Sequence, residues 1–336
     1  MGPVQNRKKT VLAALATGIF LVAVTVIAFF VGSSSVGLQE FWAFVTGGPL
    51  SDSAKSILIN VRLPRVFAAL LSGAALALSG ALIQAVLDNP LASPNIIGIN
   101  SGAGLAVLLV SSAFSGMLFL QPLAAFLGAL VTALVIFVIS LGAGTSRLTV
   151  VLAGIALSSL FGAGMNAVLI LNPDAYIGAS TFLVGGLSGV LSSRLVWPSL
   201  YIIFGGALAL VFAGKLNIMS LGDETAHSLG MNVGRWRMAF LGLSALLAGA
   251  AVSFAGLLGF VGLIVPHLIR FLVGFDNRVV LPLSAAFGAA FVVFCDLISR
   301  VMFAPYEIPV GILMAFIGGP FFIYLIIRNR GRRDEQ

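Results

Sequence analysis

Side chains able to do chemistry are scarce in this sequence. The 336 residues include two histidines, one cysteine and 11 acidic residues against 18 basic ones. His227 and His267 are too few and too far apart in sequence for a metal site. Cys295 lies in the apolar run Phe291, Val292, Val293, Phe294 and reads as a small buried residue; a lone cysteine forms no internal disulfide. No GxxxxGK[ST] phosphate cradle occurs, so any ATP and Mg would be bound by another chain. The acidic residues (Glu40, Asp52, Asp88, Asp174, Asp223, Glu224, Asp276, Asp296, Glu307, Asp334, Glu335) fall near predicted helix ends or in loops. Ion-coupled transporters place such groups at the centres of spans. The sequence therefore offers no catalytic residues, metal ligands or cofactor site, and recognition by charge is what remains. Arg62, Arg65 and Arg300 stand at the ends of apolar stretches. They fit charges snorkelling at helix ends, with an Asp296–Arg300 pair four residues apart. They equally fit bidentate recognition of a partner's carboxylates.

The elements that position these groups must be membrane helices. Hydrophobic residues make up 60% of the chain and charged residues 9%. A soluble domain carries roughly 25% charged residues. Lipid must therefore be the outer solvent, and the net charge of +7 reports orientation rather than nucleic acid. A span needs about 20 apolar residues. The stretch from residue 11 is longer than a secretory signal core and reads as a retained first span. The stretch 89–146 holds two spans, broken near Gln121-Pro122. The stretch 238–269 is long for one span and short for two, with Gly256, Gly259 and Gly262 in its middle. Parity resolves it. Basic residues at both ends, Arg7-Lys8-Lys9 and Arg328 to Arg333, place both termini in the cytoplasm and require an even count. A full helix at about 237–256 and a short one at about 259–273 give ten spans. The expectation is an all-α integral membrane protein, one domain over 1–336, with tails 1–9 and 328–336 and a cytoplasmic loop 215–237.

An internal match supports transport. Residues 69–80 and 245–256 agree at seven of twelve positions at an offset of 176. The offset also aligns Leu82 with Leu258, Leu87 with Leu263, Pro90 with Pro266 and Gly98 with Gly274. Spans 2 and 7 run in opposite directions, so the match reads as an inverted repeat of spans 2–5 and 7–10, or as shared small-residue packing.

The loop 215–237 is too long and too patterned for a tight turn. Asp223 or Glu224 suits a helix N-terminus. Leu221, Ala226 and Leu229 give a short helix apolar groups, and Gly230 stops it. Such a helix suits docking into a partner's groove.

Several segments together resemble the FecCD/BtuC-type permeases of ABC importers for iron-siderophores, haem and vitamin B12. They are Arg62-Leu63-Pro64-Arg65 with Gly73-Ala74-Ala75-Leu76; Asn89-Pro90-Leu91-Ala92-Ser93-Pro94; Leu152-Ala153-Gly154-Ile155-Ala156; Leu221 to Gly230; Gly259 to Arg270; and Glu307-Ile308-Pro309-Val310-Gly311 with Gly318-Gly319-Pro320. They occur in the family's order over roughly 55–330. Two departures stand out: Asp88 where the family often has Arg, and Phe182 to Leu187 where it often has a Trp and a Gly-Ser-Leu stretch.

The resemblance implies a ten-helix, BtuC-like subunit of the bacterial cytoplasmic membrane, importing an iron-siderophore-type substrate. It implies a second permease subunit, two ATPase subunits and an extracytoplasmic substrate-binding protein. By resemblance Arg62, Arg65 and Arg300 dock that binding protein. Leu221, Gly222, Asp223, Glu224, Ala226, Leu229 and Gly230 couple to the ATPase. Asn89, Leu91, Thr145 and Ser146 narrow the cytoplasmic end of the pathway. Ser158, Ser159 and Asn166 of span 5 suit either a pathway lining or tight helix packing.

Overall fold

The computed structural model describes residues 3–32, 40, 42–43, 46–114, 116–143 and 146–331. Thr145 lies outside them. In chain order the helices are α1 (Pro3–Phe30), α2 (Asp52–Ser56), α3 (Leu63–Leu87), α4 (Ile99–Ala113), α5 (Gln121–Ala143), α6 (Arg147–Leu171), α7 (Asp174–Val184), α8 (Ser192–Val211), α9 (Ala213–Met219), α10 (Asp223–Ser228), α11 (Val233–Ala255), α12 (Val261–Val273), α13 (Asn277–Val301) and α14 (Val310–Gly331). A wide helical turn, Ile57–Arg62, joins α2 to α3. Seven of the described helices are long and apolar enough to span a bilayer, and α4, α12 and α14 are shorter apolar helices. Together they make the ten expected.

The bundle has a centre and a rim. The apolar windows of α3, α11 and α13 are 78%, 67% and 61% buried, whereas that of α1 is 17% and that of α6 is 22%. Small residues explain which helices take the centre, because lipid supplies no hydrophobic drive and close packing must do the work. A Cβ on Gly288 of α13 would lie 2.5 Å from the Gly73 carbonyl oxygen of α3. Ser79 donates to the Ser244 carbonyl at 2.9 Å and Ser244 donates back to the Ser79 carbonyl at 3.2 Å, joining α3 to α11. Each such interhelical bond is worth about 0.6 kcal/mol in a membrane. On the rim, Phe20 of α1 packs against Phe287 and Phe294 of α13, ring centroids 5.9 Å apart in both cases.

Gly256 divides the ambiguous stretch. It ends α11 with φ 71, a conformation that favours glycine, and a side chain there would meet the Phe182 carbonyl at 2.5 Å. The amide of Leu257 instead donates to that carbonyl at 2.9 Å.

The matched segments 69–80 and 245–256 lie in α3 and α11, the second and seventh crossings. The downstream coincidences fall on different elements. Gly80 is inside a helix that continues to Leu87, whereas Gly256 terminates one. Pro90 lies in the turn after α3 while Pro266 is inside α12, and Gly98 precedes α4 while Gly274 follows α12. The sequence register therefore does not extend past the first crossing helix of each half.

Candidate functional site

Ionised groups gather at the two ends of α3, and the two sets differ in character. At its start, Arg65 donates through Nε to Asp296 Oδ1 and Oδ2 (3.0 and 3.2 Å) and through Nη1 to Glu307 (2.7 Å). Arg300 Nε lies 3.1 Å from Asp296 Oδ2 and so shares that oxygen with Arg65. Arg62 donates to the carbonyls of Phe29 (2.6 Å) and Phe30 (3.1 Å), and Arg300 to those of Ala28 and Val31 (both 3.4 Å). These bonds close the open C-terminal carbonyls of α1, a terminus that needs donors. Arg62, Arg65, Arg300 and Asp296 are 3%, 7%, 3% and 1% exposed. The structure thus turns the three arginines inward. Asp296, one helical turn before Arg300, and Glu307 supply carboxylates from within the chain, and a guanidinium in an apolar interior must find them.

Beside this cluster lies a cavity of about 330 Å³, lined among others by Arg65, Gln121, Phe182, Arg194, Glu307 and Pro309. Arg194 is exposed at its edge. The stretch from Phe182 to Leu187, the end of α7 and the turn after it, lends Phe182, Gly186 and Leu187 to its wall and fastens neighbouring helices through its backbone. Gly186 donates to the Ala255 carbonyl at 3.0 Å, and Gly311 donates to the Gly185 carbonyl at 3.0 Å.

At the far end of α3 the charges meet water. Asp88 adopts φ 49 and ends the helix. The Asn89 side chain accepts the Leu91 amide at 2.9 Å, folding the turn. Ser146 caps α6 by accepting the Thr149 amide at 3.0 Å. Arg147, the next residue, donates to Asp88 at 2.7 Å and to Asp223 at 3.3 Å. Asp223 also receives Arg237 on both oxygens at 2.8 Å. Burial alone would raise the Asp223 pKa, but the hydrogen bonds and charges of Arg237 and Arg147 outweigh it and hold the carboxyl below its ordinary value.

The short helix expected after residue 221 is α10. Gly222 (φ 99) precedes it and Gly230 (φ 78) follows it. Leu221 and Leu229 project outward, 59% and 62% exposed, and Glu224 is exposed. Two details differ from the sequence reading. Ala226 is fully buried and packs inward, with its carbonyl accepting the Met231 amide at 3.0 Å. Asp223 and Glu224 stand in the first turn as expected, but the Asp223 carboxylate turns to the two arginines and makes no side-chain cap. Sequence reasoning singled out neither Arg147 nor Arg237 and noted Asp88 as a departure from the family's pattern. Their opposite signs at span ends on one face were the available signal that they meet.

On α6, Ser158 and Ser159 bond back to the carbonyls of Gly154 (2.9 Å) and Ile155 (3.0 Å) of their own helix. Ser159 and Asn166, seven residues apart, share an exposed face, whereas Ser158 is half-buried against Gly98 before α4. His267 meets Phe321 edge-on, ring centroids 6.3 Å apart. Among the described residues no three His, Cys, Asp or Glu side chains are grouped to hold a metal ion.

A bundle of apolar helices with its charges drawn to the two ends of a central helix is the frame of a multi-pass membrane protein, and here it is that of a transport permease. Residues 19–328 match the FecCD transport family, and the chain belongs to that family. It is 39% identical over 309 residues to the hemin transport system permease HmuU of Yersinia pestis, covering 90% of this chain and 91% of that one. It is 36% identical to the Fe(3+)-citrate import system permease YfmE of Bacillus subtilis, covering 96% of each. It is 40% identical to the cobalamin import system permease BtuC of Halobacterium salinarum over 82% of this chain and 74% of that one. A solved structure described as an inward-facing conformation of a metal-chelate type ABC transporter superposes with a TM-score of 0.83 at 29% identity, covering 94% of this chain and 98% of that one. These relatives favour a permease over an ion-coupled secondary transporter.

Proposed function

We propose that this chain is the membrane-spanning subunit of an ATP-driven ABC importer that carries an iron chelate, of siderophore or haem type, into the bacterial cytoplasm. The observation that carries the reading is α10: a short helix between two positive-φ glycines, with Leu221 and Leu229 exposed on the water side of a charged tether. Two leucines held outward, one at each end of a short helix, suit insertion into a partner's groove. The relatives are named for hemin, Fe(3+)-citrate and cobalamin, which directs the substrate class toward bulky chelates.

In this reading two ATPase subunits, holding ATP and Mg, receive Leu221 and Leu229, and both chain termini share their cytoplasmic side. Asn89, Leu91 and Ser146 border the cytoplasmic gate. A second permease subunit faces the exposed Ser159 and Asn166 side of α6 across the pathway. The binding protein docks at the opposite end. There Arg62, Arg65 and Arg300 hold the surface in shape from beneath, and exposed Arg194 is the guanidinium a carboxylate can reach. The test is uptake into proteoliposomes containing this chain, its ATPase and its binding protein, with hemin, ferric citrate and cobalamin as competing probes. ATP-dependent uptake of an iron-bearing probe is expected. Uptake that persists without ATP and collapses with the proton gradient would overturn the reading.

A further inference from the structure

The loop that carries α10 is fastened at two places, and the fastenings lead to different parts of the bundle. Its first half, α9, is tied to the start of α13. Asn217 donates to Asp276 at 2.6 Å and accepts the Asn277 amide at 2.8 Å and its side-chain nitrogen at 3.0 Å. Its second half, α10, is tied through Asp223 to Arg237 at the start of α11 and to Arg147 at the start of α6. Between them stands Gly222, at φ 99 with nothing within 4 Å of the position a side chain would take.

Arg147 reaches beyond α10. One nitrogen of its guanidinium holds Asp223 and another holds Asp88, at 3.3 and 2.7 Å. Asp88 heads the turn that the Asn89 side chain folds. The planar, permanently charged fork of arginine can grip two carboxylates at once, which the single ammonium of lysine does less well. Neither carboxylate is locked in the protein interior: their side chains are 60% and 47% exposed, and that of Arg147 is 28% exposed. Such links re-form as the elements move, unlike a dry pair. By contrast Arg237, its side chain 3% exposed, is a fixed anchor.

We infer that Arg147 is a positioning residue that ties the place of α10 to the turn 88–92, so that displacement of the partner-facing helix moves the gate turn directly rather than through the intervening backbone. What does the displacing rests on the ATPase reading above; the tie itself does not.

Two measurements separate these. Spin labels at Asn95 and His227, both exposed, in a Cys295→Ala background would report the distance between the turn region and α10 in the permease alone in nanodiscs. A single narrow distribution is expected for the parent. Its loss is expected in Arg147→Gln and in Asp88→Asn, with Arg147→Lys retaining part of it and Arg235→Gln, an exposed charge on the same face, leaving it intact. An unchanged distribution in Arg147→Gln and Asp88→Asn would overturn the inference whatever the partner is. In the reconstituted complex, hemin or ferric citrate carried per ATP hydrolysed falls in the same two variants. A distance change without any ATPase association keeps the tie and sinks only the partner reading.

Discussion

The two ends of α3 use the same chemistry for opposite purposes. At one end Arg65 and Arg300 share Asp296 in a dry setting, every member of the triad less than a tenth exposed. At the other, Arg147 links Asp88 and Asp223 where water reaches both carboxylates. Burial makes the first cluster obligatory: it cannot open without stranding a charge in an apolar interior. Exposure makes the second adjustable, since water replaces each contact at little cost. The first closes the ends of α1, α3 and α13 as a frame, and the second is a link whose contacts can exchange with water. Which arginine does which is decided by the environment and not by the residue type.

The contrast breaks most readily at Asp296. Replacing it with alanine leaves Arg65 and Arg300 without their shared carboxylate and should cost about 3–5 kcal/mol, as for one lost partner of a buried pair. Thermal unfolding in detergent should show a large drop in midpoint, and retention of the parental midpoint would remove the frame role. Gly288→Leu tests the neutral packing of the same helix pair. It drives a side chain into the Gly73 carbonyl and should cost about 1–3 kcal/mol, read in the same assay. Asp223→Asn should cost less than Asp296→Ala, because Asp223 is itself half exposed, although it weakens the hold on the buried Arg237. Loss of stability comparable to Asp296→Ala would erase the distinction between the two ends. The smallest effect is on pH. The Asp223 pKa is lowered by Arg237 and Arg147, so its contribution is present above the ordinary carboxylate pKa and is lost only as pH falls through the depressed value. Hydrogen exchange of residues 223–228, corrected for intrinsic rates, should therefore be the same at pH 7 as at pH 5, and acceleration by pH 5 would contradict the ion-pair assignment.

Much of the fold was legible because lipid imposes a simple rule: charge-free stretches cross, and parity counts them. That logic found the short α12 and the break before it, although Gly256 was one of three glycines that could have made it. Local signals found α10: an acidic residue at 223 or 224 suits its first turn, and Gly230 stops it. Long-range pairing was not legible. Asp296 and Arg65 are 231 residues apart, and nothing in their spacing says that one neutralises the other. For this reason the arginines, read as candidates for an outside partner, turn out to have inside ones. Arg147 was hidden in the opposite way: nothing in its neighbourhood singles it out, and it meets Asp88, 59 residues away, and Asp223, 76 residues away. The sequence match stops at its first helix, where identical glycines sit in a helix interior at Gly80 and at a chain break at Gly256.

The most direct test of the contrast uses the unaltered protein and salt. Exposed ion pairs weaken as the Debye length falls from about 10 Å at 0.1 M to about 3 Å at 1 M, while buried pairs are screened far less. Hydrogen exchange measured in nanodiscs at both ionic strengths should show faster exchange in residues 88–92 and 223–230 at high salt, with residues 62–66 and 296–301 unchanged. Equal acceleration at both ends, or none at either, would contradict the division into a fixed frame and an adjustable link.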